Sequence, residues 1–379
     1  GLSDDQQKKK SLPTTHLRQK GVRKESIIRS LRVFGFASWC ATTSRAFQTT
    51  TTLTTTGVTR TMARDTLAEG DKEGRFVRSA ATFREIISKD HPTFKPETGR
   101  YHLVISWACP WANRVATVRH LKGLEKVIGM SVVHPTWQKT KPELDSHAGW
   151  AFATEEDTFQ SPAGFGAFQV KGVVPLPAAF LGDDAKCKTV RDVYVATGND
   201  PGKYTVPLLW DTKEGTVVNN ESSDLIVMLN EAFNDFAENP TLDLNPPETR
   251  DLQKELNDFI YPNINNGVYR SGFAKTQLAY DEAVTDLYAS LDKVEAILDT
   301  KKYLCGDVFT LADIRLFMTL VRFDEVYVVY FKTNKKKVAE YPNIHNYCRE
   351  LYQKLEPVIH MDHIKTHYFT SHPTLNHYA

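Results

Sequence analysis

Cys109 is the side chain best placed to do chemistry. It lies between the apolar run Tyr101-His102-Leu103-Val104-Ile105-Ser106 and a segment in which Val115, Val118 and Leu121 recur at helical spacing. Pro110 follows it, at the position where a proline opens a helix without losing a needed N–H. A thiol at such a junction faces unpaired N–H groups and the positive end of the helix dipole, which favour thiolate and are expected to lower its pKa. A buried inert cysteine is the plain alternative, and the Cys-Pro pair at a strand-to-helix turn weighs against it. Trp107 and Trp111 are expected to flank the sulfur with flat apolar surface. The fourth residue of the turn is Ala112, so no resolving thiol is adjacent and one is expected from outside. The site reads as monothiol.

The elements that must position this thiol follow from the apolar pattern. The run 101–106, the helix after Pro110 and the run Val127-Ile128-Gly129-Met130-Ser131-Val132-Val133 make a βαβ unit with a parallel strand pair. Thr205-Val206-Pro207-Leu208-Leu209-Trp210-Asp211 reads as a strand opening on a proline, and Lys213-Glu214-Gly215 turns it into Thr216-Val217-Val218-Asn219. Asn220-Glu221-Ser222-Ser223-Asp224 then precedes Leu225-Ile226-Val227-Met228-Leu229 as an N-capped helix. Together these features suit a small external thiol such as glutathione. Its backbone can pair with the Thr205-Val206 edge if Pro207 is cis; a trans edge-strand proline is the alternative. Its anionic γ-glutamyl end suits the helix start at Glu221, Ser222 and Ser223, with Glu221 facing the ammonium. A bare helix cap is the alternative for Ser222.

The chain has 379 residues, 41% apolar and 25% charged, which excludes collagen-like, wholly disordered and disulfide-scaffold classes and leaves core enough for two domains. No stretch approaches ~18 uninterrupted apolar residues, so no membrane span is expected. The net charge of +1 averages two unlike parts. Residues 1–64 hold 12 Lys and Arg against Asp4, Asp5 and Glu25, a balance of +9, and residues 65–379 carry −8. A mildly acidic body argues against nucleic acid as a partner. The leader is rich in Arg, Ser and Thr, with a low-complexity stretch at 49–56, and is expected to be disordered. It reads as an organelle transit peptide, to a mitochondrial or plastid matrix, with an uncleaved tail as the alternative. Met62 could start a shorter, cytoplasmic form. Cys40, Cys109, Cys187, Cys305 and Cys348 are scattered and odd in number, which suits cytosol or organelle matrix.

The block Ser106-Trp107-Ala108-Cys109-Pro110-Trp111-Ala112-Asn113-Arg114 resembles the Cys-Pro-Trp-Ala motif of glutathionyl-hydroquinone reductases, the xi class of glutathione transferases. So do Thr205 to Asp211, Asn220-Glu221-Ser222, Asn265-Asn266-Gly267-Val268-Tyr269, Ala312 to Leu316, Val321-Arg322-Phe323-Asp324 and His367-Tyr368-Phe369. The resemblance implies a glutathione-transferase fold: an α/β thioredoxin-like N-terminal domain and an all-α C-terminal domain, in a homodimer. We place the leader at 1–64, the first domain with its insertion at 65–240 and the second at 241–379. The implied activity is reductive deglutathionylation of glutathionyl-hydroquinones, with glutathione as co-substrate and no metal. Cys109 matches the nucleophile and Trp150 the tryptophan lying against glutathione. Val206, beside Pro207, matches the peptide-edge contact, and Glu221 and Ser222 the γ-glutamyl contacts. Tyr269 and Tyr368 match the tyrosines facing the hydroquinone, and Lys203 stands near the basic residue that meets a glutathione carboxylate. Asn113 stands where many members have His, and the segment 151–204 looks longer than usual. That segment is either a lid or a padded surface loop, padding being the simpler reading.

The second half turns helical after Asn245-Pro246-Pro247. Leu252, Leu256, Phe259 and Ile260 repeat at helical spacing, as do Leu287, Leu291, Val294 and Leu298. Thr310 with Asp313 forms a capping-box variant. Arg315 and Arg322 are expected in buried ion pairs with Asp324 or Glu325. Aromatic residues such as Tyr261, Tyr327, Tyr330 and Phe331 read as core. Tyr269 follows Asn265-Asn266-Gly267, a break that lets its hydroxyl reach a cleft and donate to a phenolate oxygen. His360, His363 and His367, with Asp362, have helical spacing that a metal could use, but a polar C-terminal face is the better reading. Two other functions compete. One is an omega-like thioltransferase or dehydroascorbate reductase. The other is a non-catalytic glutathione-transferase-like interaction module, which would not need the Cys109, Pro207, Glu221 and Ser222 set.

Overall fold

The computed structural model describes residues 70–375, apart from 163, 165, 179, 181–186, 373 and 374. The leader and Cys40 lie outside the described residues.

The βαβ unit forms where the apolar runs place it. Strand β1 (Tyr101–Ile105) is buried along its length and leads through Ser106–Cys109 into α1 (Pro110–Leu121). Strand β2 (Gly129–Val132) returns parallel to β1, with His102 opposite Gly129 and Ile105 opposite Val132. Two short antiparallel pairs follow, β3 (Gln138–Lys139) with β4 (Ala148–Gly149) and β5 (Phe159–Gln160) with β6 (Ala167–Phe168). After α2 (Val190–Ala196), β7 (Leu208–Asp211) runs antiparallel to β1 and turns into β8 (Thr216–Asn219). The sheet order is β2-β1-β7-β8.

Helix α3 (Ser222–Glu231) then packs on α1. It starts three residues before the apolar Leu225, because Glu221 caps it: the carboxylate accepts from the Ser223 N–H. Ser222 is therefore the first helical residue and not the cap.

The segment 151–204 is more than padding. Val174 bridges to Val132, continuing the sheet edge by one residue. A capping box between Thr189 and Asp192 starts α2, whose Val190, Val193 and Tyr194 lie fully buried. The Tyr194 hydroxyl donates to the Thr205 carbonyl at 2.9 Å and accepts from the Asn220 amide at 3.0 Å. Those partners directly precede Val206 and Glu221.

The second half is helical throughout: α4 (Arg250–Ile260), α5 (Gly267–Gly272), α6 (Gln277–Leu298), α7 (Leu311–Arg322), α8 (Val328–Tyr330), α9 (Pro342–Leu355) and α10 (Met361–Thr370). The chain does not break before Tyr269. It widens into a π-turn over Tyr261–Asn265, because Pro262 brings no N–H to the ordinary ladder. Gly272, ending α5, has to be small, since a Cβ there would lie 2.1 Å from the Phe331 ring. Thr310 and Asp313 form the expected capping box on α7, and the buried Asp313 carboxylate also accepts from Leu304 N–H and Tyr347 O–H. That role is structural. Among the described residues, no helix is long and apolar enough to cross a membrane.

Candidate active site

Cys109 is the extended N-cap residue of α1, with Pro110 as the first helical residue. Its thiol donates to the Val206 carbonyl at 3.4 Å. Val206 is joined to Pro207 by the cis peptide that the edge-pairing reading required. The expected lowering of the thiol pKa does not hold in this state. Burial pushes the Cys109 thiol up, and the N–H groups of Ala112 and Trp111, with the charges of Arg78 and Arg322, pull against it without winning. A helix start is legible in the sequence, but the protein that closes over the sulfur and desolvates it is not.

Two adjoining cavities lie beside this turn, and the sulfur lines one of them. One is polar and is lined by Lys203, Val206, Pro207, Glu221 and Ser222, with Ser79 at its margin. The other is aromatic and is lined by Cys109, Trp150, Tyr269 and Tyr368, with Phe76 and His367. Arg78, Trp111, Lys203, Thr205 and Val206 border both. All nine residues singled out from the sequence therefore face one continuous region. Lys203 donates to the Ser79 hydroxyl at 2.7 Å. The Glu221 carboxylate accepts from the Ser223 hydroxyl at 2.8 Å as well as from its N–H, so the capping residue also lines the cavity. Trp150 is buried, stacked on His367 with ring centres 4.5 Å apart and edged by Trp137.

The tyrosines are coupled. The hydroxyls of Tyr269 and Tyr368 lie 2.6 Å apart, and that of Tyr327 lies 3.1 Å from Tyr368. Burial raises the pKa of all three, so they are neutral donors at ordinary pH. Tyr327 was read as core from its aromatic neighbours, and no spacing signal marked it as a member of this chain of hydroxyls.

Arg78 was missed for a similar reason, since it lies in a stretch with no periodic pattern. Its guanidinium sits 4.9 Å from the Trp111 ring centre and 5.2 Å from that of Tyr269, and donates to Asn266 at 3.2 Å. Trp111 also carries Arg114 at 4.6 Å. The flanking role expected of Trp107 is not seen: it is buried, stacks on His360 at 4.4 Å and donates to the Gly172 carbonyl at 3.0 Å. Trp107 pins the long segment to the turn, and of these two tryptophans it is Trp111 that faces the cavities.

The expected ion pairs of Arg315 and Arg322 do not form among the described residues. Asp324 caps the N–H groups of Val338 and Ala339, and Glu325 pairs with Lys365 on the surface. Arg322 donates to main-chain carbonyls and to Asn113 instead. Arg114 and Arg315 lie close enough to repel one another, and burial pushes them down to about 9 and about 10, with Glu221 opposing both shifts.

The histidines bind protein, one by one. The His363 ring contacts the Ser106 hydroxyl at 3.4 Å, and His367 Nδ1 donates to the Pro135 carbonyl at 2.8 Å. His360 stands at the N-cap position of α10 without a side-chain cap bond, and its ring stacks on Trp107. No group of three or more His, Cys, Asp or Glu suited to a metal occurs among the described residues.

Comparison with known proteins places this geometry. The family described as Glutathione S-transferase, N-terminal domain matches residues 108–232, and Glutathione S-transferase, C-terminal domain matches 277–350. Glutathionyl-hydroquinone reductase YqjG of Escherichia coli is 41% identical over 312 residues, covering 80% of this chain and 87% of the relative. Its glutathione-bound structure aligns with a TM-score of 0.67 at 38% identity, over 78% of this chain and 90% of that one. Glutathione S-transferase omega-like 2 of Schizosaccharomyces pombe is 40% identical over 316 residues, 80% of this chain and 91% of its own length. The glutathione S-transferase Xi of Phanerochaete chrysosporium aligns with a TM-score of 0.69 at 43% identity, over 81% of this chain and 92% of that one.

Proposed function

The chain belongs to the glutathione transferase superfamily and, within it, to the xi-class family of glutathionyl-hydroquinone reductases, and on that premise we propose that it strips glutathione reductively from glutathionyl-hydroquinones. The observation that carries the reading is a single thiol at a helix start opening onto the same aromatic cavity as two joined tyrosine hydroxyls.

In this reading the glutathionyl backbone lies along Val206 and its γ-glutamyl end at the start of α3, against Glu221 and Ser222. Lys203 meets a glutathione carboxylate, and Trp150 supports the peptide. The hydroquinone ring occupies the aromatic cavity. The Cys109 thiolate attacks the glutathionyl sulfur, and the carbon–sulfur bond breaks with its electron pair left on the ring. Tyr269, which itself receives the Tyr368 hydrogen bond, donates to the ring oxygen that takes up this charge, and the ring carbon is reprotonated by the proton the thiol gave up. A second glutathione thiolate then displaces the first from the Cys109 mixed disulfide, releasing oxidised glutathione and restoring the thiolate. The net reaction consumes one glutathione thiol and reduces the aryl–sulfur bond by two electrons.

The test follows a glutathionyl-hydroquinone by chromatography with glutathione supplied. We expect hydroquinone and oxidised glutathione in equal amounts, and Cys109→Ser to lower kcat/KM by at least about a thousandfold. Near-normal turnover by that variant would overturn the reading. Faster turnover of small mixed disulfides than of the aryl thioether would instead favour an omega-like thioltransferase. A homodimer and an organelle matrix location belong to the same proposal, checked by light scattering and by mass spectrometry of the native N-terminus.

A further inference from the structure

Arg322 closes α7 with no exposed surface. Its guanidinium donates to the carbonyls of Trp107 at 2.7 Å and Ala108 at 3.2 Å, to the Asn113 side-chain oxygen at 2.8 Å, and to the Met318 carbonyl on its own helix. Each of these acceptors is neutral, and no carboxylate among the described residues pairs with it. A fully buried cation without an anion is costly to keep, so a fold that keeps one gains whenever an anion forms within reach.

The groups around it that can become anions are Cys109, Tyr327 and Tyr368. Two of these acceptors, Trp107 and Ala108, belong to the turn that presents the sulfur and directly precede Cys109, and a third, Asn113, lies one helical turn beyond it in α1. With the carbonyls drawn toward the guanidinium, the Trp111 and Ala112 N–H groups are left for the sulfur. Asn113 also donates to the Val358 carbonyl at 2.8 Å, so its oxygen is held toward Arg322.

We propose that Arg322 is a positioning residue for Cys109, holding the Trp107–Cys109 turn and keeping beneath the sulfur a positive charge that the thiolate neutralises. The proposal rests on Cys109 being the reacting thiol, and not on the identity of the aryl group. Other charges bear on the sulfur: Arg78 from the segment before β1, and Arg114 from α1. Tyr269 of α5 and Tyr327 beyond α7 also face it. His363 and His367 of α10 face Arg322 and are kept neutral, chiefly by burial. Arg322 is the one of these cations that is tied to the turn itself.

The experiment measures alkylation of Cys109 by iodoacetamide in the purified full chain across pH 6–10, read by peptide mass spectrometry. The thiolate displaces iodide, and the thiol proton passes to buffer, so the rate follows the thiolate fraction. Arg322→Met should move the rate–pH profile up by about one unit, an about tenfold slower rate at any pH below the midpoint. Arg322→Lys, which returns the charge, should recover at least half of that shift. Asn113→Asp leaves the arginine in place but pairs it with a carboxylate, and should shift the profile in the same direction. This variant decides the matter if Arg322→Met does not fold. A folded Arg322→Met or Asn113→Asp protein with the wild-type profile overturns the proposal. Because the assay uses no quinol, its outcome is separate from that of the turnover test.

Discussion

Tyr269 and Tyr368 hold their hydroxyls 2.6 Å apart across 99 residues of sequence, joining α5 to α10 at the wall of the cavity that Cys109 enters. Tyr368 is the middle member, since its hydroxyl also meets that of Tyr327 at 3.1 Å. Each phenol has one proton to give. When Tyr269 donates into the cavity, Tyr368 can donate to Tyr269 and Tyr327 to Tyr368, so that charge arriving at the first is shared along the three.

The asymmetry of that chain is testable. Tyr368→Phe strands two buried hydroxyls and should cost about 1–3 kcal/mol by denaturant unfolding. Tyr269→Phe leaves the Tyr327–Tyr368 pair intact and should cost less. Both should lower kcat about 10- to 100-fold on a glutathionyl-hydroquinone, and the double variant should lose less than the product of the two. Independent, multiplicative losses would show that the pair does not act as a unit.

The ligand-free thiol should be sluggish. Burial holds the Cys109 thiol above its ordinary value, and its proton rests on the Val206 carbonyl. Alkylation of the free protein at pH 7 should therefore be slower than that of a small model thiol, and should still be rising beyond pH ~8.5. A rate already level by pH 7 would mean that the helix end and the nearby arginines outweigh burial.

Tyr194 links the long segment 151–204 to the edge proposed to bind glutathione. Its hydroxyl ties together Thr205 and Asn220, which directly precede Val206 and Glu221. Tyr194→Phe should raise KM for glutathione several-fold with little change in kcat, since it loosens a binding edge and not the reacting atoms. An unchanged KM would return this segment to the status of padding.

Acid should unfold the protein through its buried histidines. Burial pushes His102, His134 and His367 down to about 4, and His363 and His372 lie well below their ordinary value. Above pH ~6.5 these rings are neutral folded or unfolded and do not make stability vary with pH. As pH falls from there toward 4, the unfolded chain takes up protons that the folded one refuses, so stability drops. Calorimetry in two buffers of different ionisation heat should find uptake of at least about two protons on unfolding at pH 5. No uptake would mean that these rings are charged in the folded state.

The local pattern of the chain determined much of this molecule. Alternation and helical spacing around 101–133 and 205–231 dictated a βαβ unit and a hairpin, because strand and helix periods expose different faces to the same core. The Cys-Pro junction marked the candidate thiol, since a helix start leaves N–H groups unpaired. Capping at Thr310 and Asp313 was legible for the same reason. What the sequence could not determine were quantities set by neighbours remote along the chain. Whether the Cys109 thiol is raised or lowered depends on how much protein closes over it. Whether Arg322 meets Asp324 or the Trp107 and Ala108 carbonyls depends on how α7 packs against α1. That Tyr327 joins Tyr269 and Tyr368, and that Arg78 reaches Trp111, also needed the folded chain. Desolvation and Coulomb energy vary with three-dimensional distance, and spacing along the sequence encodes that distance only within a single helix or strand.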